Sequence, residues 1–187
     1  MIELKRRIGL AAALLTSAAA LALAIVPSAS ARDALLAPDR VCPNPAVSAP
    51  TRPQIAAMLC YHAYARRRLG LPALRVAGPL YRSAGLKLQW IVACGEFTHT
   101  PCGRPFVSAF SAENYTRGNW RVGENLAWGT SSLGRVREIF ERWLRSPEHR
   151  QNIGRPEWHE IGLSLVRTIH VFGRENVTVW VAHFGSH

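Results

Sequence analysis

The sequence predicts a single α+β domain behind an export signal. Three observations carry this reading. Apolar residues recur at helical spacing around 55–66, 80–91 and 136–143, two alternating runs lie near the C-terminus, and all four cysteines fall beyond residue 31. Helices first and a terminal strand pair last are the pattern of an α+β fold.

Residues 1–31 read as a secretory signal. Lys5, Arg6 and Arg7 form a positive n-region, Ile8–Val26 is an Ala- and Leu-rich apolar stretch, and Ala29-Ser30-Ala31 fits the small-residue cleavage pattern. Arg32 is then the mature N-terminus. The rival is an uncleaved anchor, since the apolar stretch approaches bilayer-spanning length. The flanks and the Ala-x-Ala site favour cleavage. No later segment is long and apolar enough to span a membrane. The expected location is secreted, extracellular or periplasmic, with association to the cell envelope as an extension.

The signal holds three of the 23 basic and one of the 12 acidic residues, which leaves 156 residues of net charge +9. That length suffices for one sizeable core. The charge favours anionic partners such as acidic envelope polymers. It also has the plainer reading of solubility and salt-sensitive adhesion. Nucleic acid is excluded as a partner by export and by the scatter of the basic residues, of which Arg66-Arg67-Arg68 is the one tight run.

Residues 32–50 carry Pro38, Pro43, Pro45 and Pro50 and read as an extended arm, with the folded domain at 51–187. Thr51 is a candidate cap for a helix with Pro53 in its first turn. Ile55, Met58, Leu59, His62, Ala63 and Arg66 follow at helical spacing, and Gly70 is the stop. His62 reads as a partly buried structural histidine. After the link Leu71–Leu74, residues 78–93 predict a second helix with Leu80, Ala84, Leu88 and Ile91 on one face. A short helix is expected near Phe106–Ala112. Ser131 or Ser132 is expected to cap a helix running to Arg145, with Val136, Ile139, Phe140 and Trp143 facing the core. Pro147 ends it or opens a turn carrying His149 and Asn152. Residues 161–166 and 177–184 alternate like strands joined by a turn at 173–176, an antiparallel hairpin. His183 lies on the second strand and receives no role; His159, His170 and His187 match no ligand pattern.

An even cysteine count in an exported chain implies disulfides. Three pairings are open. Proximity in sequence favours Cys94–Cys102, a short loop framing His99, and Cys42–Cys60. The rival makes Cys94, His99 and Cys102 zinc ligands, with no obvious fourth. Asn114-Tyr-Thr116 and Asn176-Val-Thr178 match the glycosylation pattern.

The most specific stretch is Gly123-Glu124-Asn125-Leu126-Ala127-Trp128-Gly129. Before it stands the Cys-framed His99, and after it Trp143-Leu-Arg-Ser146-Pro-Glu148-His149-Arg150-Gln-Asn152-Ile153 and Glu160-Ile-Gly-Leu163. In that order, over roughly residues 52–185, these motifs resemble the CAP superfamily: cysteine-rich secretory proteins, antigen 5 and pathogenesis-related proteins, and their bacterial secreted relatives. The resemblance implies an α-β-α sandwich with a small antiparallel sheet between helices. It implies that His99, Glu124 and His149 share a ligand cleft with Asn125 and Ser146. It also implies zinc or another divalent cation on His99 and His149, with Glu124 behind them. The family's second acidic position, three residues after Trp143, is Ser146 here, so its four-residue set is incomplete.

Three functions follow from the resemblance and the residue types. The first is a binding module for a small lipid, sterol or envelope fragment. The second is a metal-dependent hydrolase using a metal-activated water and Glu124 as base. The third is a wall-associated interaction protein with a vestigial cleft. Enzyme chemistry lacks an evident nucleophile: the cysteines pair, no Gly-x-Ser-x-Gly elbow exists, and Ser146 near His149 has no clear oxyanion donor.

Overall fold

The structure is a computed structural model describing residues 32–187. The expected signal at 1–31 lies outside the described residues. Helix α1 spans Thr51–Arg68, strand β1 Arg75–Val76, α2 Gly78–Cys94, α3 Ser108–Ala112, β2 Arg121–Thr130, α4 Val136–Arg145, α5 Pro147–Ile153, β3 Glu160–Val171 and β4 Arg174–Ser186. The sheet order is β1-β3-β4-β2. β2 and β3 pair antiparallel with β4, and the two-residue β1 runs parallel to β3, an addition to the antiparallel sheet expected from sequence.

Strand alternation divides the interior into two layers. Trp180, Ala182 and Phe184 of β4, with Leu163 and Ala127 on its neighbours, pack against α1 and α4 residues such as Tyr61, Phe140 and Trp143. Val177, Val179 and Val181, with Leu126, face Ala84, Leu88 and Ile91 of α2. The molecule is the expected α-β-α sandwich. α2 lies very close to the sheet because Gly162 presents no side chain to it. A Cβ there would stand 2.0 Å from the Leu80 carbonyl carbon.

α1 stops where the sequence signal lies. Gly70 adopts φ +72°, and the amides of Gly70 and Leu71 bond the carbonyls of Arg67 and Arg66. Its buried stripe is rotated from the expected one: Ala57, Met58, Tyr61, His62 and Ala65 are buried, with Arg66. The Arg66 guanidinium donates to the carbonyls of Pro72, Ile153, Arg155 and Trp158, tying the end of α5 to α1. His62 is 2 % exposed, with Nδ1 2.9 Å from the Met58 carbonyl and its ring against Phe140 and Trp143. This is the structural role expected of it.

Two expected caps are replaced. Thr51 is the first residue of α1 and provides no side-chain cap. Ser131 and Ser132 lie in a 3-10 turn, and α4 begins only at Val136. The Asn44 side chain reaches in from the arm, its Oδ1 accepting from the Arg137 amide at 3.1 Å. The arm is pinned to α1 by the Cys42–Cys60 disulfide, and Cys94 pairs with Cys102. Both pairings follow sequence proximity, and bonded sulfurs remove the zinc reading of Cys94 and Cys102. No helix among the described residues is long and apolar enough to cross a membrane.

Candidate functional site

The centre of the site is a buried carboxylate. Glu124 on β2 stands directly opposite His183 on β4, and Gly162 on β3 completes the row. This row faces α2, which supplies Ser83 and Lys87, both fully buried. Glu124 Oε1 lies 2.6 Å from His99 Nδ1, and Oε2 lies 2.8 Å from His183 Nε2 and 3.7 Å from Lys87 Nζ. Burial alone would raise the Glu124 carboxyl. Hydrogen bonds from His183 and His99, and the charges of His183 and Lys87, overrule it and hold the pKa at about 2.

Proton positions follow from donor and acceptor rules. An ionised carboxylate only accepts, so His99 Nδ1 and His183 Nε2 each carry a hydrogen toward Glu124. Burial lowers the pKa of His183, against the opposing pull of Glu124. A neutral His183 then has a bare Nδ1, 2.7 Å from the Ser83 hydroxyl, whose one hydrogen is shared with the Leu80 carbonyl at 3.0 Å. Lys87 balances the Glu124 charge, and its Nζ also donates to the His99 carbonyl at 2.6 Å. Hydroxyl, imidazole and carboxylate thus align as Ser83–His183–Glu124. Ser83 and His183 have no solvent exposure and Glu124 4 %, so this chain braces the carboxylate and offers no nucleophile to substrate.

The other side of β2 holds Asn125, also fully buried. Its Nδ2 donates to the His149 carbonyl at 3.0 Å, and its Oδ1 accepts from Asn152 at 3.0 Å. Asn125 therefore fixes α5 to the strand. Because β2 is an edge strand, its outward carbonyls need covering. Those of Glu124, Leu126 and Trp128 accept from Asn152, Trp143 and Arg142 respectively.

Along this covered edge runs a groove of about 350 Å³ lined by Phe97, Leu126, Ala127, Trp128, Arg142, Trp143, Ser146 and His149. Of the five residues expected to share a cleft, Ser146 and His149 line this groove, whereas His99, Glu124 and Asn125 do not. The His99 side chain is half exposed, at 53 %, and held from behind by Glu124. Burial lowers the pKa of His149, and the neighbouring His99 lowers it further against the pull of Glu148. Ser146 caps α5: its oxygen is 3.4 Å from the His149 amide, and its hydroxyl donates to Glu148 at 2.9 Å. That hydroxyl is committed to the helix end.

A metal centre does not fit these donors well. No group of three or more His, Cys, Asp or Glu among the described residues is arranged to hold an ion. Both Glu124 oxygens are occupied by imidazoles, which leaves His99 Nε2 and the His149 ring, fewer protein ligands than zinc sites use.

Sequence reasoning missed His183, Ser83 and Lys87. Val177, Val179, Val181 and His183 share one strand face, and an imidazole at the end of an apolar row must find a partner. Lys87 likewise falls within the stripe Leu80, Ala84, Leu88, Ile91. These two misfits were the available signal.

Residues 59–184 match the model of the CAP cysteine-rich secretory protein family, and the chain belongs to that family. Among solved structures it is similar to an outer surface protein from Borrelia burgdorferi, with TM-score 0.62 and 20 % identity, covering 76 % of this chain and 99 % of that one. It is also similar to a cysteine-rich secretory protein from Staphylococcus aureus, with TM-score 0.57, 16 % identity and 75 % of this chain covered. A third similarity is to an extracellular protein containing a SCP domain from Bacillus anthracis, with TM-score 0.53, 16 % identity and 73 % of this chain covered. The match spans 40 % of the Staphylococcus chain and 44 % of the Bacillus chain. No match to a curated protein sequence was found.

Proposed function

We propose that this is an exported CAP-domain binding module whose groove along β2 takes a small apolar ligand from the cell envelope, a lipid or sterol. The observation that supports it is the groove itself. Phe97 and Trp128 offer aromatic walls, and His149 and Arg142 offer polar ends, the usual make-up of a small-molecule site. Phe97 and Trp128 contact each other edge-to-face at 6.5 Å between centroids, so the wall is continuous. A serine-based hydrolase gains no support from Ser146, whose hydroxyl is spent on Glu148. A divalent cation enters this reading only as a guest of His99 and His149, with Glu124 orienting His99.

The test is titration with dansyl-undecanoic acid, read by energy transfer from tryptophan and by displacement with cholesterol. Wild type should bind the dye. Phe97→Ser combined with Trp128→Ser should weaken binding at least about tenfold, given the apolar area these rings contribute. No transfer in wild type, or equal binding by the variant, would end the proposal. Zinc titration of His99→Ala with His149→Ala, against wild type, tests the guest cation separately.

A further inference from the structure

We propose that a second groove, independent of the one along β2, binds the free C-terminal carboxylate of a short peptide. It lies where the β3–β4 hairpin passes under the N-terminal arm, six residues along β4 from His183, or roughly 20 Å. Its volume is about 880 Å³, and Val47 and Val166, both half-buried, contribute apolar surface. Ser48, Thr51, Ser131 and Ser132, all exposed, line it too with their hydroxyl side chains. Its two charged lining residues are both cations, Arg135 and Arg167, and no carboxylate lines it.

These two guanidiniums are held in place by the arm. Arg135 donates one Nη hydrogen to the Asn44 carbonyl at 2.7 Å, and Arg167 donates one to the Val47 carbonyl at 2.7 Å. The arm is itself anchored by Cys42–Cys60. Each guanidinium carries five N–H donors, so most remain to be used. Arg135 Nε has no hydrogen-bond partner among the described residues but is buried, so an acceptor in the groove must meet the Nη groups. Carboxylates meet guanidiniums with paired, charge-assisted bonds, which matches what Arg135 and Arg167 offer. Hydroxyl-lined walls can bond peptide amides, and an acyl chain has no use for them. The groove chemistry therefore favours a peptide terminus over a fatty acid.

Isothermal titration at fixed ionic strength tests this with acetyl-alanyl-alanine as the free acid and as its C-terminal amide. The acid should bind, and the amide should bind at least about tenfold more weakly. Arg167→Gln should weaken the acid about tenfold, and Ser132→Glu should do so at least as strongly by placing a negative charge in the groove. Both positions are exposed, so both variants should melt like wild type. Arg117→Gln, at an exposed arginine bonded to Asn114, removes the same charge away from this groove and should change nothing. Four results would each overturn the proposal: no heat with the acid, equal binding of acid and amide, equal loss in Arg117→Gln and Arg167→Gln, or tighter binding of laurate than of the peptide.

Discussion

Glu124 and His183 are directly opposed across β2 and β4, and their Oε2 and Nε2 atoms lie 2.8 Å apart with no exposure of either side chain. The pair turns a strand contact into an electrostatic fixture. Lys87 neutralises the carboxylate, Ser83 completes the imidazole, and the remaining carboxylate oxygen reaches outward to orient His99.

Removing the charge of Glu124 should leave Lys87 buried and uncompensated. Glu124→Gln is expected to cost about 3–5 kcal/mol in urea denaturation. Adding Lys87→Met should recover part of that loss, because the two sites share one interaction. Additive losses in the double variant would show that Lys87 does not balance Glu124.

Stability should fall on acidification in two windows. His62 has its pKa lowered from 6.5 to about 4, chiefly by burial, so the unfolded chain takes up a proton first. Stability is then whole above pH 6.5 and declines as pH falls toward 4, by on the order of 3 kcal/mol. Glu124, lowered from 4.5 to about 2, adds a second decline between those values. His62→Gln should make the decline in the upper window shallower when melting is followed against pH, leaving the share of His183 and His149, whose pKa values burial also lowers. An unchanged slope would mean that His62 is not the group responsible.

Gly162→Ala should disrupt the molecule more than its size suggests. Its Cβ would meet the backbone of α2 and not a movable side chain. A cost of about 3 kcal/mol or more is expected, at the upper end for overpacking. The variant should also displace Ser83 and Lys87, so the His183 proton resonance should shift in NMR. A stable variant with native His183 chemical shifts would contradict this.

Opening the Cys94–Cys102 loop by replacing both cysteines with serine should cost about 2–3 kcal/mol. The loss should concentrate around His99, whose carbonyl is held by Lys87 and whose ring is held by Glu124. Hydrogen exchange should quicken at residues 95–102 and stay slow in β4. Uniform quickening would place the disulfide's effect on the whole fold instead.

Legibility in the sequence followed chemistry of short range. Helical spacing placed α1, α2 and α4, strict alternation placed the β3–β4 hairpin, and sequence proximity placed both disulfides. β2 escaped because it is buried on both faces. Glu124 points to α2 and Asn125 to α5, so no polar-apolar alternation marks it. The start of α4 escaped because its amide is capped by Asn44, more than ninety residues upstream, a distance no local rule covers. The partners His99 and Glu124 were legible through family motifs, while His183 depends on a register that only the folded sheet defines.

The position of β4 bears on how the chain is made. It pairs on both sides, with β2 and with β3, and follows both of them in the chain. Until residues 174–186 emerge, β2 and β3 have no common partner, and the carboxylate of Glu124 has no His183 to meet. Non-local pairing of this kind delays folding. Closure of the sheet is thereby tied to synthesis of residues 174–186, and until then β2 has no partner strand and β3 has only the two-residue β1, edges in need of protection on the way.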